Sequence, residues 1–363
     1  MRRIPENPIL IFLLLTLFLI PATSQGQSQE LPRKYVAYQT TGTLNLDGRL
    51  DEPDWQNSEW TEDFADIEGF HMPVPRHRTR AKILYDEKYL YIGAEQSETD
   101  IWATYTEDET VIFHENNFEV FIDPDGDTHN YYELEVNALG TKWDLLLVKP
   151  YIHGGPPVNS WEIIGLKVGV NHAGTINNPA DTDTLWSVEL ALPWEVLREC
   201  APRKQRPSPG DQWRINFSRV EWQLVVDNGQ YTKRINPETG KPFPENNWIW
   251  SPQGVIDMHR PDRWGFVQFS GLKAGEGKEA FAVHPDEPVK TSLRKIYEAQ
   301  GYYFHLNRQY AGSLEELFGE EIPAFPANFV PEFEVTPGQY LIRAKSADGQ
   351  GWWKLTEDSK IWK

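Results

Sequence analysis

Carboxylates crowd one hairpin of this chain. The run Asn117–Asp123 alternates, so Phe118, Val120 and Ile122 point one way and Glu119, Phe121 and Asp123 the other. After the turn Pro124-Asp125-Gly126-Asp127, the returning run 131–138 places Tyr132, Leu134 and Val136 on the core side. Tyr131, Glu133, Glu135 and Asn137 fall on the opposite side. Glu119, Asp123, Glu133, Glu135 and Asn137 therefore share one face. Like charges across a strand pair repel unless sugar hydroxyls, a cation or Arg side chains offset them, or unless the face is simply solvated. Asp123, Asp125 and Asp127 stand at i, i+2 and i+4 around a glycine. That spacing suits a hard cation such as calcium, held by oxygen ligands, although the full twelve-residue EF-hand layout is missing.

Aromatic residues form the second candidate. In Trp248-Ile249-Trp250, alternation puts both indoles on one face of a strand. Two exposed indoles beside polar groups would make a platform for the C–H face of a sugar ring. Trp55, Trp186, Trp213 and Trp264 read instead as core. Other chemistries lack support. There is no G-x-S-x-G, H-E-x-x-H or Walker loop, and the nine His show no i, i+4 pair. Glu119 and Glu135 could serve as a glycosidase pair, but nothing in the sequence marks an apolar pocket to raise the pKa of Glu119.

The elements that must position these groups read as all-β. Runs 82–85 and 89–94 flank Asp86-Glu87-Lys88 as a hairpin. Further strands are expected at 143–148, 163–170, 185–192, 213–220 and 266–269, with single helical turns at 51–55 and 193–198. Many short strands between Pro- and Gly-rich turns indicate an antiparallel β-sandwich. Residues 273–288 lack period and read as a linker. Beyond them, 289–363 reads as a small α+β appendage: a helix to about 310, a short helix around Leu314 and Leu317, and strands at 333–344 and 352–355. Its apolar stripe suits docking of a protein partner.

Composition narrows the function classes. Among 363 residues, 54 acids oppose 35 bases for a formal charge of −19, which disfavours nucleic-acid binding. The single Cys, Cys200, excludes a disulfide scaffold and reads as a small buried hydrophobe. Arg2 and Arg3 precede an apolar run from Ile9 to Ile20, then small residues and a polar stretch. Residues 1–26 thus read as a secretory signal peptide, too short in its apolar part to span a bilayer. The mature chain, 27 onward, is expected in the periplasm, outside the cell or at its surface, with no membrane span.

Four blocks, in order, resemble family 9 carbohydrate-binding modules. They are Asn45-Leu46-Asp47-Gly48-Arg49-Leu50-Asp51-Glu52-Pro53-Asp54-Trp55, Ala81 to Ile92, Asn117 to Asn137, and Arg260-Pro261-Asp262-Arg263-Trp264-Gly265. The resemblance implies a β-sandwich over 27–272, often with structural calcium, of the kind appended to secreted polysaccharide-degrading enzymes. It also implies a sugar clamped between two Trp rings, with contacts from a strand Glu and from an Arg and an Asn two residues apart. On that pattern Glu119 is the strand Glu and Asn137 the Asn, while Glu135 stands at the Arg position, a charge reversal. Phe113 stands at the first clamp; Trp250, then Trp248, are candidates for the second. The expectation is an exported, non-catalytic protein of polysaccharide catabolism that binds a mono-, oligo- or polysaccharide. The alternatives are a glycoside hydrolase using Glu119, and a sugar-blind structural sandwich.

Overall fold

The computed structural model describes residues 32–363. The expected signal segment lies outside them. Among the described residues, no helix is long and apolar enough to cross a membrane.

Turn chemistry sets the hairpins. β1 is Lys34–Gln39, β2 Thr79–Tyr85 and β3 Tyr89–Ser97. Between β2 and β3, Asp86 Oδ1 accepts the N–H groups of Lys88 (2.6 Å) and Tyr89 (2.7 Å), closing the expected hairpin with Tyr85 opposite Leu90. β4 is Asn117–Asp123, β5 Tyr131–Asn137 and β6 Lys142–Leu147. β7 is Lys167–Ala173 and β8 Leu185–Pro193. β9 is Gln212–Glu221, β10 Asn246–Ile249 and β11 Gly265–Lys273.

These strands form one continuous hydrogen-bonded path, β6-β5-β4-β9-β11-β1-β2-β3-β8-β7. β9 divides its second edge: Gln212 to Ile215 pair with β11, and Ser218 to Glu221 with β10. The path folds over itself. Phe118, Val120, Ile122, Tyr132, Leu134 and Val136 from β4 and β5 share one buried core with Ile83, Ile92, Val188, Leu190 and Leu192 from β2, β3 and β8. The alternation read from the sequence thus holds for both strands of the acidic hairpin. The sheet is not purely antiparallel: β1 runs parallel to both β11 and β2. The strand expected at 163–170 begins only at Lys167, because Gly165 takes φ +86° and interrupts the run. Ile163 is buried, its N–H bound to the Asp144 carboxylate.

Residues 273–288 lie along the sandwich. Gln268 donates to Glu279 Oε1 (2.9 Å), Ser270 donates to the same carboxylate (2.5 Å), and Ala282 N–H donates to Gln268 Oε1 (2.8 Å). Then α1, Glu287–Asn307, buries Val289, Leu293, Ile296 and Gln300. It packs on an antiparallel sheet of β12 Glu332–Val335, β13 Tyr340–Lys345, β14 Trp352–Thr356 and β15 Ile361–Trp362. The described residues form one compact unit, and much of the junction is polar. Arg214 pairs with Glu287 (3.3 Å), His153 Nε2 meets the Tyr297 hydroxyl (2.7 Å), and Ile361 N–H donates to the Asp127 carbonyl (3.1 Å).

Candidate functional site: an acid-floored cavity and an acidic turn

β4 and β5 pair with Glu119 directly opposite Glu135 and Phe121 opposite Glu133. On the next strand, Trp143 lies opposite Glu135 and Leu145 opposite Glu133. The face turned away from the main core therefore carries Glu119, Glu133 and Glu135 between aromatic rings. It is covered rather than solvated: the three carboxylates are 3%, 6% and 1% exposed. Above them lies a cavity of about 260 Å³, just under the usual small-molecule range of about 300–1,000 Å³. Phe113 and Trp143 stand at one end, ring centroids 6.5 Å apart. Tyr151 and His259 form another wall, in edge contact at 4.4 Å. Glu245 and Asn247 close the rim.

Electrostatics here are unusual. Burial, with repulsion from Glu245, pushes Glu119 up to about 7. Burial and the mutual repulsion of the cluster hold Glu133 and Glu135 well above the usual carboxylate range. The sequence marks no apolar pocket at Glu119; the burial that raises it is supplied by the fold. Loops contribute Phe113, Tyr151 and Glu245 to the surroundings, and these surroundings are not legible along one strand. Glu135 is fixed by the Phe113 N–H (2.7 Å), and Glu119 accepts a long bond from Asn117 Nδ2 (3.4 Å). His259 lies 4.0 Å from Glu133 but is neutral, since burial pushes its pKa down to about 4. Its Nδ1 meets the Tyr131 hydroxyl at 3.0 Å.

Of the sequence candidates, Phe113, Glu119 and Glu135 come together on this cavity. The other three do not. Asn137 is fully buried, and its amide is saturated. Its Nδ2 donates to the Tyr105 carbonyl (2.8 Å) and Glu115 Oε1 (2.7 Å), and its Oδ1 accepts from Leu139 (2.9 Å) and Thr141 (3.0 Å). All that remains for it is to hold the β5–β6 turn. Trp248 and Trp250 share a face as expected, but it is the inner one. Trp250 is 0% exposed against Phe217 and Tyr35, with Nε1 donating to Glu62 (3.0 Å). A Cβ on Gly265 would come within 2.4 Å of the Trp250 ring, so glycine is needed there. Trp248 is 4% exposed, between His77 and the Arg76 and Arg219 guanidinium groups. Asn247, the residue before Trp248 and on the opposite phase of the strand, is the one that meets the cavity.

Several lining groups escaped sequence reasoning. Trp143 could have been found by extending the alternation of Glu133 and Glu135 across the next strand. Tyr151, Glu245 and His259 come from loops and carry no local signal.

The acidic turn is built differently. Asp123, Asp125 and Asp127 bring one carboxylate oxygen each within 4.8 Å of one another, a spacing that fits a hard cation. Asp123 is buried and accepts the N–H groups of Gly126 (3.0 Å) and Thr128 (2.9 Å). Burial and the neighbouring aspartates raise Asp123 well above its ordinary value and push Asp125 up to about 6. Asp127 accepts from His129 N–H (2.7 Å), and its other oxygen lies 3.1 Å from Lys360 Nζ of the appendage. An intramolecular ammonium thus supplies part of the positive charge.

The sandwich in outline is a folded-over β-sheet carrying a polar-floored, aromatic-walled cavity. Residues 46–205 match the model of the carbohydrate family 9 binding domain-like family, a stretch that includes most of the cavity-bearing strands. Among solved structures, the chain is similar to a protein from Bacteroides uniformis ATCC 8492 with a provisional carbohydrate-binding description. Identity there is 16%, over 66% of this chain and 99% of that one, with a TM-score of 0.47. It is also similar to a family 9 carbohydrate-binding module from Caldicellulosiruptor kristjanssonii in complex with cellotriose. Identity there is 13%, over 68% of this chain and 99% of that one, with a TM-score of 0.39. No curated protein matches the chain.

Proposed function

We propose that the chain is an exported, non-catalytic carbohydrate-binding protein of polysaccharide catabolism, and that its sugar sits in the cavity over β4 and β5. One observation carries this reading: a polar floor of three carboxyls lies between aromatic walls, on strands within the matched segment. Aromatic faces take the C–H side of a sugar ring, and carboxyls take its hydroxyls. Two stacked rings of roughly 100 Å² each, at about 25 cal/mol per Å², with two or three net hydrogen bonds of about 1 kcal/mol, give micromolar to millimolar binding after ordering costs. Calorimetry against a broad mono- and oligosaccharide panel tests it. The expected result is heat from at least one sugar, weakened at least tenfold by Trp143→Ala. Silence across the panel removes the reading. Calcium at Asp123, Asp125 and Asp127 belongs to the same proposal, as a brace for the turn that ends β4.

The raised pKa of Glu119 favours one second reading, a glycoside hydrolase with Glu119 as general acid. It requires turnover of aryl-glycosides that disappears in Glu119→Gln.

A further inference from the structure

We propose that the cavity over β4 and β5 selects a cationic sugar, a hexosamine whose amine is free and protonated. The inference rests on the carbohydrate-binding reading and names the ligand class within it. The titratable groups that line the cavity are Glu119, Glu133, Glu135, Glu245, Tyr151 and His259; no Lys or Arg is among them. Four carboxyls thus meet one space with no basic side chain on its walls.

Glu133 is the telling group. It is 6% exposed and lines the cavity, and its hydrogen-bond partner is another carboxyl, that of Glu135, rather than an N–H group. Its polar neighbours are Glu135 and, at 4.0 Å, the neutral His259. A buried carboxyl partnered only by a second carboxyl and a neutral imidazole is a costly arrangement unless a ligand completes it. That ligand must bring donors or positive charge. A bare metal ion fits poorly. The carboxylate oxygens of the Asp turn converge within 4.8 Å of one another, and the cavity glutamates form no such group among the described residues. An ammonium on a larger body spans that wider spacing, donating to more than one carboxyl. The rings of Phe113, Trp143 and Tyr151 then serve it twice, stacking on the sugar and facing the cation with their negative π surfaces. Burial already holds Glu133 and Glu135 high. An arriving ammonium would therefore release a proton from the cluster to solvent.

The experiment is calorimetry of the full chain with glucosamine, N-acetylglucosamine and glucose, and with the β-1,4-linked dimers of each. Titrations are run in two buffers of different ionisation enthalpy. The expected result is at least tenfold tighter binding of the free amine than of its acetylated and hydroxyl counterparts. Proton release should accompany the amine alone. Glu133→Gln should remove the preference with the unfolding midpoint retained. If N-acetylglucosamine or glucose binds as well as glucosamine or better, the inference falls and the carbohydrate reading stands. If no sugar binds, both fall. The wild-type comparison decides the matter even where a variant folds poorly.

Discussion

Glu119, Glu133 and Glu135 lie on the same hairpin as Asp123, Asp125 and Asp127, and the two acidic groups are answered in opposite ways. The aspartates receive N–H groups from Gly126, Thr128 and His129 and an ammonium from Lys360. The glutamates receive one backbone N–H, from Phe113, side-chain contacts to Glu119 from Asn117 (a long bond) and Ser218, and a carboxyl–carboxyl bond between Glu133 and Glu135. They otherwise face a cavity walled by rings. The density of carboxylates is similar in both places; the supply of donors is not. A buried acid with its donors in place is structure, and a buried acid lacking them points to something that arrives.

The largest test of that contrast is a pair of substitutions with opposite signs. Asp123→Ala strands the N–H groups of Gly126 and Thr128, each worth about 1–3 kcal/mol when left unsatisfied, so a loss of about 2–4 kcal/mol is expected in urea unfolding. Glu133→Gln replaces a buried carboxyl, held well above the carboxylate range by burial and by Glu119, with a neutral amide of the same shape, and stability should stay level or rise. Shifts of the same sign would end the comparison.

A second test uses the metal. At a calcium concentration 100 times the dissociation constant, binding adds about 2.7 kcal/mol, a rise of roughly 5 °C in the unfolding midpoint of a chain this size. The gain should vanish with EDTA and in Asp125→Ala, and persist in Glu133→Gln. A midpoint indifferent to calcium would leave Lys360 as the cation that serves the turn.

The smallest effect is a slope. Glu119 titrates at about 7 in the folded chain, above its ordinary value of 4.5. The folded state holds this proton more firmly, so the contribution is complete below pH 4.5 and is lost as pH rises through about 7. For one proton the slope is at most about 1.4 kcal/mol per pH unit. Glu119→Gln should flatten the stability profile in that window; an unchanged profile would place the titration elsewhere.

What the sequence made legible follows from strand geometry. Period two placed Phe118, Val120 and Ile122 inward and Glu119 outward, and the register of β4 with β5 agrees with it. The same rule put Trp248 and Trp250 on one face but could not say which face. That depends on β9 dividing its edge between β10 and β11, a long-range pairing with no local signature. Asn137 carried the right residue type in the right strand, but its amide is taken up by Leu139 and Thr141 of its own turn and by Tyr105 and Glu115, which the fold brings near. The cavity walls, Tyr151 and His259, are loop residues whose meeting is visible only in three dimensions.

The parallel placement of β1 has a consequence in time. Lys34 pairs with Phe266 and Ala37 with Phe269, so the first described strand waits for almost the last strand of the sandwich. On a ribosome adding about 5–20 residues per second, that wait is on the order of 10–50 s. Until β11 emerges, β1 and β2 lack the neighbour that joins the two halves of the sheet. Such a high-contact-order closure is slow, and the nascent chain stays open for that interval. A chain destined to cross a membrane unfolded would gain from that delay; one folding where it is made would need its exposed strands shielded meanwhile.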